Sequence, residues 1–133
     1  MLAEMKPKKA VVIRSGALGA CYALSSAPDD VYWVPAYWTS DRADRVVDVT
    51  GAGNGFLGGF CAGLDEGLDV RQGESTTEEE LIVAVIRGTI AASFIVEQVG
   101  LPVMTTSELG TEIWNDDLVR DRIERLERTV GDQ

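Results

Sequence analysis

The sequence predicts an α/β fold in which a partial β-sheet is covered by helices. Short apolar runs rich in β-branched residues come first, and long helical patterns follow them. A glycine-rich segment, residues 51–59, joins the two parts. The 133 residues suit one modest domain, so we expect the strands and helices to share one core.

The first two strands form a predicted hairpin. Residues 10–14 are an apolar run that ends in Arg14, which indicates a buried strand. Residues 15–19 contain two glycines and predict a turn. Residues 20–24 then predict the second strand, so the three segments together make a hairpin.

Two further strands are predicted before the helices. Residues 31–38 are rich in β-branched and aromatic side chains, but Pro35 cannot donate to a sheet ladder. This combination indicates an edge or bent strand. Residues 46–49 predict a short fourth strand. The predicted loops are residues 27–30, 39–45 and 69–76.

Three helices are predicted in the remainder of the chain. The first covers residues 53–68, where glycines lower the helix propensity, so we expect this helix to approach a sheet closely. The second covers residues 77–98, opens with a capping-box pattern of Thr77 and Glu80, and should be buried on most sides. The third covers residues 108–128 and has a charged, solvated face. The apolar stripes are Phe56, Phe60 and Leu64 in the first helix and Leu109, Ile113, Ile123, Leu126 and Val130 in the third.

Charge and hydropathy argue against two classes of partner. The formal net charge is −10 and the basic cluster is limited to Lys6, Lys8 and Lys9, so a nucleic-acid backbone would be repelled. No apolar run is long enough to span a membrane, and the N-terminus lacks the apolar stretch of a signal peptide. We therefore expect a cytoplasmic protein that binds neither nucleic acid nor membrane.

The cysteines give no sign of chemistry. Cys21 and Cys61 form no Cys-x-x-Cys motif, and the chain has no histidine. This argues against a zinc site and against Ser–His or Cys–His catalysis. Both residues sit among apolar or small neighbours, so we expect buried free thiols in a reducing compartment.

Residues 46–60 carry the strongest functional signal. They predict a strand, a turn of the form Asp48-x-Thr50, a glycine loop at residues 51–53 and the start of a helix. This layout directs main-chain N–H groups and a helix N-terminus at one place, which makes an anion site. The alternative is a glycine-rich helix start that serves only tight packing.

Two rival glycine motifs fit less well. Residues 53–58 match the Gly-x-Gly-x-x-Gly string of dinucleotide-binding folds. The acidic residue that this fold requires about 20 residues further on would be Glu78, which falls in the second predicted helix. No Gly-Lys-Ser/Thr sequence is present, which excludes a Walker phosphate loop.

The glycine loop, with the hairpin before it and the apolar helix after it, resembles the C-terminal signature of the ribokinase-like, PfkB-type carbohydrate kinases. That signature has the form Asp-x-Thr-Gly-Ala-Gly-Asp, followed by phenylalanine and small residues. Asp48, residues 50–53 and Phe56 match it, and Asn54 departs from it. Asn54 together with residues 56–60 is most similar to fungal members related to the maintenance-of-killer protein.

The resemblance implies the C-terminal part of a ribokinase-like three-layer α/β/α sandwich. It covers residues 8–103, and the family's sugar-binding residues, lid and magnesium motif have no counterpart here. We interpret the chain as a truncated member or as part of a longer gene product. The implied reaction is ATP-dependent phosphorylation of a sugar or nucleoside hydroxyl with Mg²⁺. The alternative is a pseudokinase, a non-catalytic remnant that binds nucleotide or another protein.

Asn54 occupies the position of the family's catalytic base. In the family an aspartate there accepts the proton of the attacking hydroxyl, whereas an amide has no useful basicity near neutral pH. Loss of a general base costs about 10²–10⁴-fold in rate, so we expect weak or no activity. Gly51, Ala52 and Gly53 correspond to the family's anion hole, where missing side chains let amides face the phosphate. The alternative role of Asn54 is helix capping.

The resemblance also implies positions for ATP and for a monovalent cation such as K⁺. Three structural alternatives apply to these positions. Residues 15–19 could form an ordinary hairpin turn, and the hydroxyl of Thr89 could bond to a carbonyl one helical turn back. Asp48 and Thr50 could bond to nearby backbone at a strand end. The positions are Ser15, Gly16, Ala17, Gly19, Gly53 and Thr89 for the nucleotide and Asp48 and Thr50 for the cation.

Tyr32, Trp33, Tyr37 and Trp38 make a concentrated aromatic patch. Core packing is the ordinary role of such residues. A truncated sheet would expose them, so contact with a partner protein or a second copy of the chain is the alternative.

Overall fold

A computed structural model describes residues 7–69 and 77–133 of the chain. An antiparallel three-stranded sheet comes first, two long helices follow, and a small hairpin and a last helix complete the chain. This arrangement confirms the predicted mixed α/β class and is consistent with a partial ribokinase-like fold. The strands are β1 (Ala10–Arg14), β2 (Ala20–Leu24), β3 (Ala27–Val34), β4 (Met104–Thr106) and β5 (Glu112–Trp114), and the helices are α1 (Ala52–Asp69), α2 (Thr77–Ile95) and α3 (Val119–Gly131).

The β1–β2 hairpin has the predicted bounds, and its register pairs Ile13 with Cys21. Its turn contains one 3₁₀ turn, with φ of 57° at Gly16 and 100° at Gly19. Both values lie in the left-handed region that favours glycine. A β-carbon on Gly19 would also collide with the backbone of β3 at Val34, so glycine is required there twice over.

Strand β3 begins earlier than the sequence predicts. It pairs Ala27 with Leu24 of β2, so the loop predicted for residues 27–30 is wrong. The connection between β2 and β3 is short enough to start the pairing at once. The strand stops before Pro35 and lies at an edge of the sheet, which confirms the edge prediction.

Residues 46–49 do not form the predicted fourth strand. The amides of Val47 and Asp48 instead donate to the carbonyl oxygen of Val96, at 2.7 and 3.1 Å. Their hydrogen-bond partner is therefore the end of α2, not another strand. The preceding segment, Ser40–Arg45, forms 3₁₀ turns whose residues are mostly exposed, as predicted for that stretch.

Helices α1 and α2 pack closely through the glycines of α1. A β-carbon on Gly59 would lie 2.5 Å from the carbonyl oxygen of Arg87, and one on Gly63 would lie 2.7 Å from the Cα of Ala84. The close approach predicted for this helix is therefore real, but its partner is α2 and not a sheet. Small residues allow two backbones to meet where larger side chains would separate them.

Helix α2 supplies half of the buried core cluster, and its predicted burial is confirmed. It ends at Ile95, three residues before the predicted end, and the side-chain amide of Gln98 donates to the carbonyls of Phe94 and Ile95 at 2.8 and 2.9 Å. Those bonds satisfy carbonyls that the helix end leaves free. The core cluster joins the sheet, α1, α2 and α3 through Ala20, Tyr22, Val34, Phe56, Leu81, Val85, Ile86, Ile90, Phe94 and Leu126.

The helix predicted over residues 108–128 is wrong in its first part. Strands β4 and β5 form a hairpin there, with Gly110 at φ 82° in its turn, and Leu109 is 95% exposed. Helix α3 begins only at Val119. The apolar spacing of the first part was a coincidence, because Leu109 lies in the hairpin turn and Ile113 in β5. By contrast, Ile123, Leu126 and Val130 do pack on the core.

Three smaller predictions complete the comparison. Cys21 is buried as predicted, but Cys61 is exposed on α1, so the prediction of two buried thiols is wrong for Cys61.

Asp69 belongs to α1, and the rest of the loop predicted for residues 69–76 lies outside the described residues. The Thr77 side chain of the predicted capping box also lies outside them. Within the described part of the chain, each helix is too short or too polar to cross a bilayer.

Candidate functional site

A cavity of about 220 Å³ lies between the β1–β2 turn, the start of α1 and one face of α2. Most of the side chains around it are apolar. It brings together two segments that the sequence analysis singled out separately, the hairpin turn and the glycine loop. The turn contributes Gly16, Ala17 and Gly19, α1 contributes Ala52, Gly53 and Phe56, and α2 with the residue after it contributes Thr89, Ala92 and Val96.

The glycine loop is held by local hydrogen bonds. Asp48 Oδ1 accepts from the Thr50 amide at 2.9 Å, and Gly51 adopts a left-handed φ of 85° just before α1. The first amides of a helix have no partner within it. Among the described residues we find no backbone acceptor for the amides of Gly53 and Asn54 outside the helix either. Gly53 lines the cavity and Asn54 follows it in the chain, so at least the Gly53 amide is an N–H donor without a backbone acceptor beside the cavity.

Asn54 lies in the first turn of α1 and is exposed. The helix begins at Ala52, so Asn54 is its third residue and not its cap. The predicted capping role is therefore wrong. Its side chain forms no hydrogen bond within the described part of the chain, which leaves the amide at the helix N-terminus open to solvent.

Arg14 is a site residue that the sequence analysis missed. It ends β1, lines the cavity, and its Nη1 donates to the carbonyl oxygen of Gly53 at 2.5 Å. Its guanidinium carbon lies 5.9 Å from the ring centroid of Phe56. The available signal was a cationic residue at the end of an apolar strand, directly before a glycine turn. The side chain adds a positive charge beside the helix N-terminus, which favours an anion there.

The residues predicted for the nucleotide are only partly brought together. Gly16, Ala17, Gly19, Gly53 and Thr89 line the cavity, whereas Ser15 does not. The hydroxyl of Thr89 donates to the carbonyl of Val85 at 2.9 Å, one helical turn back. The structural alternative stated for Thr89 is therefore present, although the residue also borders the cavity. Whether any of them contacts a nucleotide stays a prediction.

The positions predicted for a monovalent cation lie outside the cavity lining. Hydrogen bonds from the backbone and the side chain of Thr50 lower the pKa of the Asp48 carboxyl below its usual value. Asp48 and Thr50 thus make the turn that was their alternative role. Over the described ranges, 7–69 and 77–133, no cluster of three or more histidine, cysteine or acidic side chains could hold a metal ion.

The aromatic patch divides into two parts. Tyr32 and Trp33 are exposed on edge strand β3, where Tyr32 stacks on Tyr22 at 5.3 Å between ring centroids. Tyr37 and Trp38 line the cavity, with their rings edge to face at 4.7 Å. No pattern in the sequence separates the two pairs, because their separation depends on where β3 ends.

The mixed α/β fold and the glycine loop are consistent with a protein of the carbohydrate-kinase class. A profile of the pfkB family carbohydrate kinases matches residues 1–106. The chain belongs to this family, which confirms the resemblance drawn from the loop, the hairpin and the apolar helix. Residues 107–133 lie beyond the match.

Two curated fungal proteins are similar to the chain. It is 30% identical over 124 residues to the uncharacterized protein C16C9.01c of Schizosaccharomyces pombe, covering 85% of this chain and 31% of that protein. It is 35% identical over 95 residues to Protein MAK32 of Saccharomyces cerevisiae, covering 68% of this chain and 22% of that protein. The chain thus spans about a third or less of the length of these relatives. No solved structure matches it significantly.

Proposed function

We propose that this chain forms the nucleotide-binding part of a PfkB-type carbohydrate kinase. The cavity receives the adenosine end of ATP, and the N-terminus of α1 receives the phosphates. The observation that carries the proposal is that one cavity borders both the Gly16–Leu18 turn and Gly53. An apolar pocket with a few polar groups at one end suits a base with a charged tail. Free amides at a helix N-terminus suit a phosphate.

The proposed reaction transfers the γ-phosphoryl group of ATP to a sugar or nucleoside hydroxyl. Such transfer depends mainly on positioning and on stabilising negative charge. The amides around Gly51, Ala52 and Gly53 would stabilise that charge, and Arg14 adds a cation beside them. Asn54 stands where the family has its base, so proton removal from the acceptor is unaided and the rate is low.

Mg²⁺ would enter this site with the nucleotide. No carboxylate of the described residues lines the cavity, so the ion would be held by the phosphates of ATP and by water. It would neutralise charge on the phosphates during transfer. The proposed K⁺ site remains at Asp48 and Thr50, where the carboxylate keeps its charge.

Isothermal titration with ATP and Mg²⁺ tests the nucleotide proposal. We expect binding by the chain and weaker binding by Gly53→Val, because a side chain there meets Arg14 Nη1 at 2.6 Å and displaces the guanidinium from the loop. Gly58→Val is the matched control, since it puts the same residue in the same helix where nothing lies within 4 Å. Absence of heat at millimolar nucleotide, with the chain folded, would overturn the proposal.

A second candidate function is a non-catalytic nucleotide-binding protein. The observation that favours it is Asn54, an exposed amide at the position of the family's base. Sugar-dependent ATP turnover that Gly53→Val abolishes would refute it. A gain of about 10²-fold or more in turnover for Asn54→Asp would assign the kinase reaction to this position. Nucleotide binding without turnover in either protein would favour the second candidate.

A further inference from the structure

We propose that Arg122 is a positioning residue for the cavity, although it does not line it. Arg122 lies on α3, beyond the residues that match the family, and is only 1% exposed. Its guanidinium carbon lies 5.1 and 5.2 Å from the ring centroids of Tyr37 and Trp38, which do line the cavity. Helix α3 therefore positions Tyr37 and Trp38, which together form the aromatic wall of the cavity. The consequence for ligand binding rests on the proposed nucleotide function.

The guanidinium of Arg122 is fixed on several sides. Nε donates to Asp117 Oδ2 at 2.8 Å, and Nη1 donates to Ser93 Oγ at 3.0 Å. The guanidinium carbon also lies 3.7 Å from the ring centroid of Phe94. A planar arginine fork held at separate nitrogens has one orientation, which a lysine ammonium could not reproduce.

Glu97 connects this arginine to Trp38. The Glu97 carboxylate pairs with Arg122 and also accepts a hydrogen bond from Trp38 Nε1 at 3.1 Å. Asn115 Nδ2 donates to the same carboxylate at 3.2 Å, and Arg45 lies 3.6 Å from it. The carboxylate is almost fully buried, with 7% of its side chain exposed. The Trp38 ring is thus held through its indole nitrogen and through its face.

The same network adjoins the glycine loop. Val96, next to Glu97, lines the cavity, and its carbonyl accepts the amides of Val47 and Asp48 that lead into the loop. A change in the position of Glu97 therefore reaches both the aromatic wall and the loop. Tyr37 is also held from α3, because Arg125 Nη1 donates to its hydroxyl at 3.0 Å.

Stabilisation of the fold does not by itself explain a buried arginine at position 122. A buried ion pair loses hydration and is often no more stabilising than apolar side chains of similar volume. Helix α3 already packs on the core through Ile123, Leu126 and Val130. Separating the partners of a buried pair leaves a buried charge uncompensated, which disfavours other arrangements of the two side chains. The geometry fixed here is that of the cavity wall.

The test combines nucleotide affinity with the indole N–H resonance of Trp38, assigned by its loss in Trp38→Phe. We expect Arg122→Gln to shift that resonance and to weaken adenosine and ATP equally, by about tenfold in Kd. Both affinities should fall because, in the proposed complex, the aromatic wall contacts the base, which both ligands carry, and not the phosphates. Arg122→Lys should recover only part of the affinity, because it restores the charge that pairs with Glu97 but not the planar fork. The matched control is Arg87→Gln. This change breaks two hydrogen bonds of 2.7 Å between Arg87 and Glu66, and neither residue lines the cavity. It should leave both readouts unchanged.

The outcomes separate this inference from the proposed function. If the unaltered chain binds no nucleotide, the proposed function fails, and the Trp38 resonance alone then judges the inference. An unshifted resonance in folded Arg122→Gln would overturn it, as would equal loss of affinity in Arg122→Gln and Arg87→Gln. If Arg122→Gln does not fold, Arg122→Lys replaces it, because lysine keeps the positive charge but not the planar fork. Unchanged nucleotide affinity and an unchanged Trp38 resonance in Arg122→Lys would then overturn the inference.

Discussion

Arg14 and Gly53 are 39 residues apart, and a hydrogen bond of 2.5 Å joins the guanidinium Nη1 of the first to the carbonyl oxygen of the second. This bond ties the end of β1 to the first turn of α1. It also puts a cation next to a helix N-terminus, where the helix dipole opposes positive charge by about 0.3–1 kcal/mol. An anion between the guanidinium and the free amides would relieve that opposition.

The first prediction concerns this pair. Arg14→Met should weaken ATP binding by about tenfold, because it removes a charge-assisted contact at the phosphate end, and should leave adenosine binding unchanged. Titration calorimetry with the two ligands measures the difference. Arg120→Met is the control, since Arg120 has a side chain 75% exposed and lies on α3. Equal weakening of adenosine would contradict the assigned position of Arg14.

The second prediction concerns the α1–α2 contact. Gly59→Ala should lower the free energy of unfolding by about 1–3 kcal/mol, because the new methyl meets the carbonyl of Arg87 at 2.5 Å and the helices must separate. Gly58→Ala, one residue earlier with nothing within 4 Å, should raise it by up to about 1 kcal/mol through helix propensity. Urea denaturation of both variants provides the measurement. A rise in the free energy of unfolding for both variants would show that α1 does not approach α2 this closely.

The third prediction concerns pH. Hydrogen bonds from Arg87 hold the pKa of Glu66 below its ordinary value of 4.5. A lowered folded pKa stabilises the fold above the unfolded pKa, and the contribution is lost as the pH falls through the folded value. The stability difference between the chain and Glu66→Gln should be below about 1 kcal/mol at neutral pH, because the pair is partly exposed, and should shrink below pH 4.5. Denaturation across this range tests it, and a constant difference would contradict it.

The fourth prediction concerns Thr89. Its hydroxyl proton is already donated to the carbonyl of Val85, so Thr89 cannot donate to a base. Thr89→Val keeps the shape of the side chain and should leave ATP affinity unchanged within about twofold. Loss of the bond to the helix carbonyl should cost about 1 kcal/mol or less in stability. A large loss of affinity with little loss of stability would show that the hydroxyl turns to the nucleotide.

Local patterns predicted the parts of this protein that local interactions decide. The bounds of β1 and β2 follow from an apolar run, a turn and a second apolar run. Helix α1 begins within one residue of its predicted start, because the glycine turn that precedes it is a local feature of the sequence. The family was readable for the same reason, since its signature lies in one continuous segment.

Secondary structure predicted from apolar spacing was wrong in segments whose structure depends on contacts with distant parts of the chain. Residues 46–49 have strand composition, but the Val96 carbonyl takes their amides, so they are not a strand. The turn at Gly110 and the pairing of β4 with β5 replace the helix that spacing predicted there. Both segments have side chains compatible with two states, and contacts elsewhere in the chain decide between them.

The family, the hairpin, the glycine loop and the amide at position 54 follow from the residues alone. That the hairpin turn and the loop border one cavity follows from the folded arrangement of distant segments. The same arrangement brings Arg14 to Gly53 and Arg122 against Tyr37 and Trp38. The reason is physical. Turn chemistry and hydrophobic period act between neighbours in the chain, whereas a guanidinium finds its partners only after the backbone has brought distant segments within hydrogen-bond range.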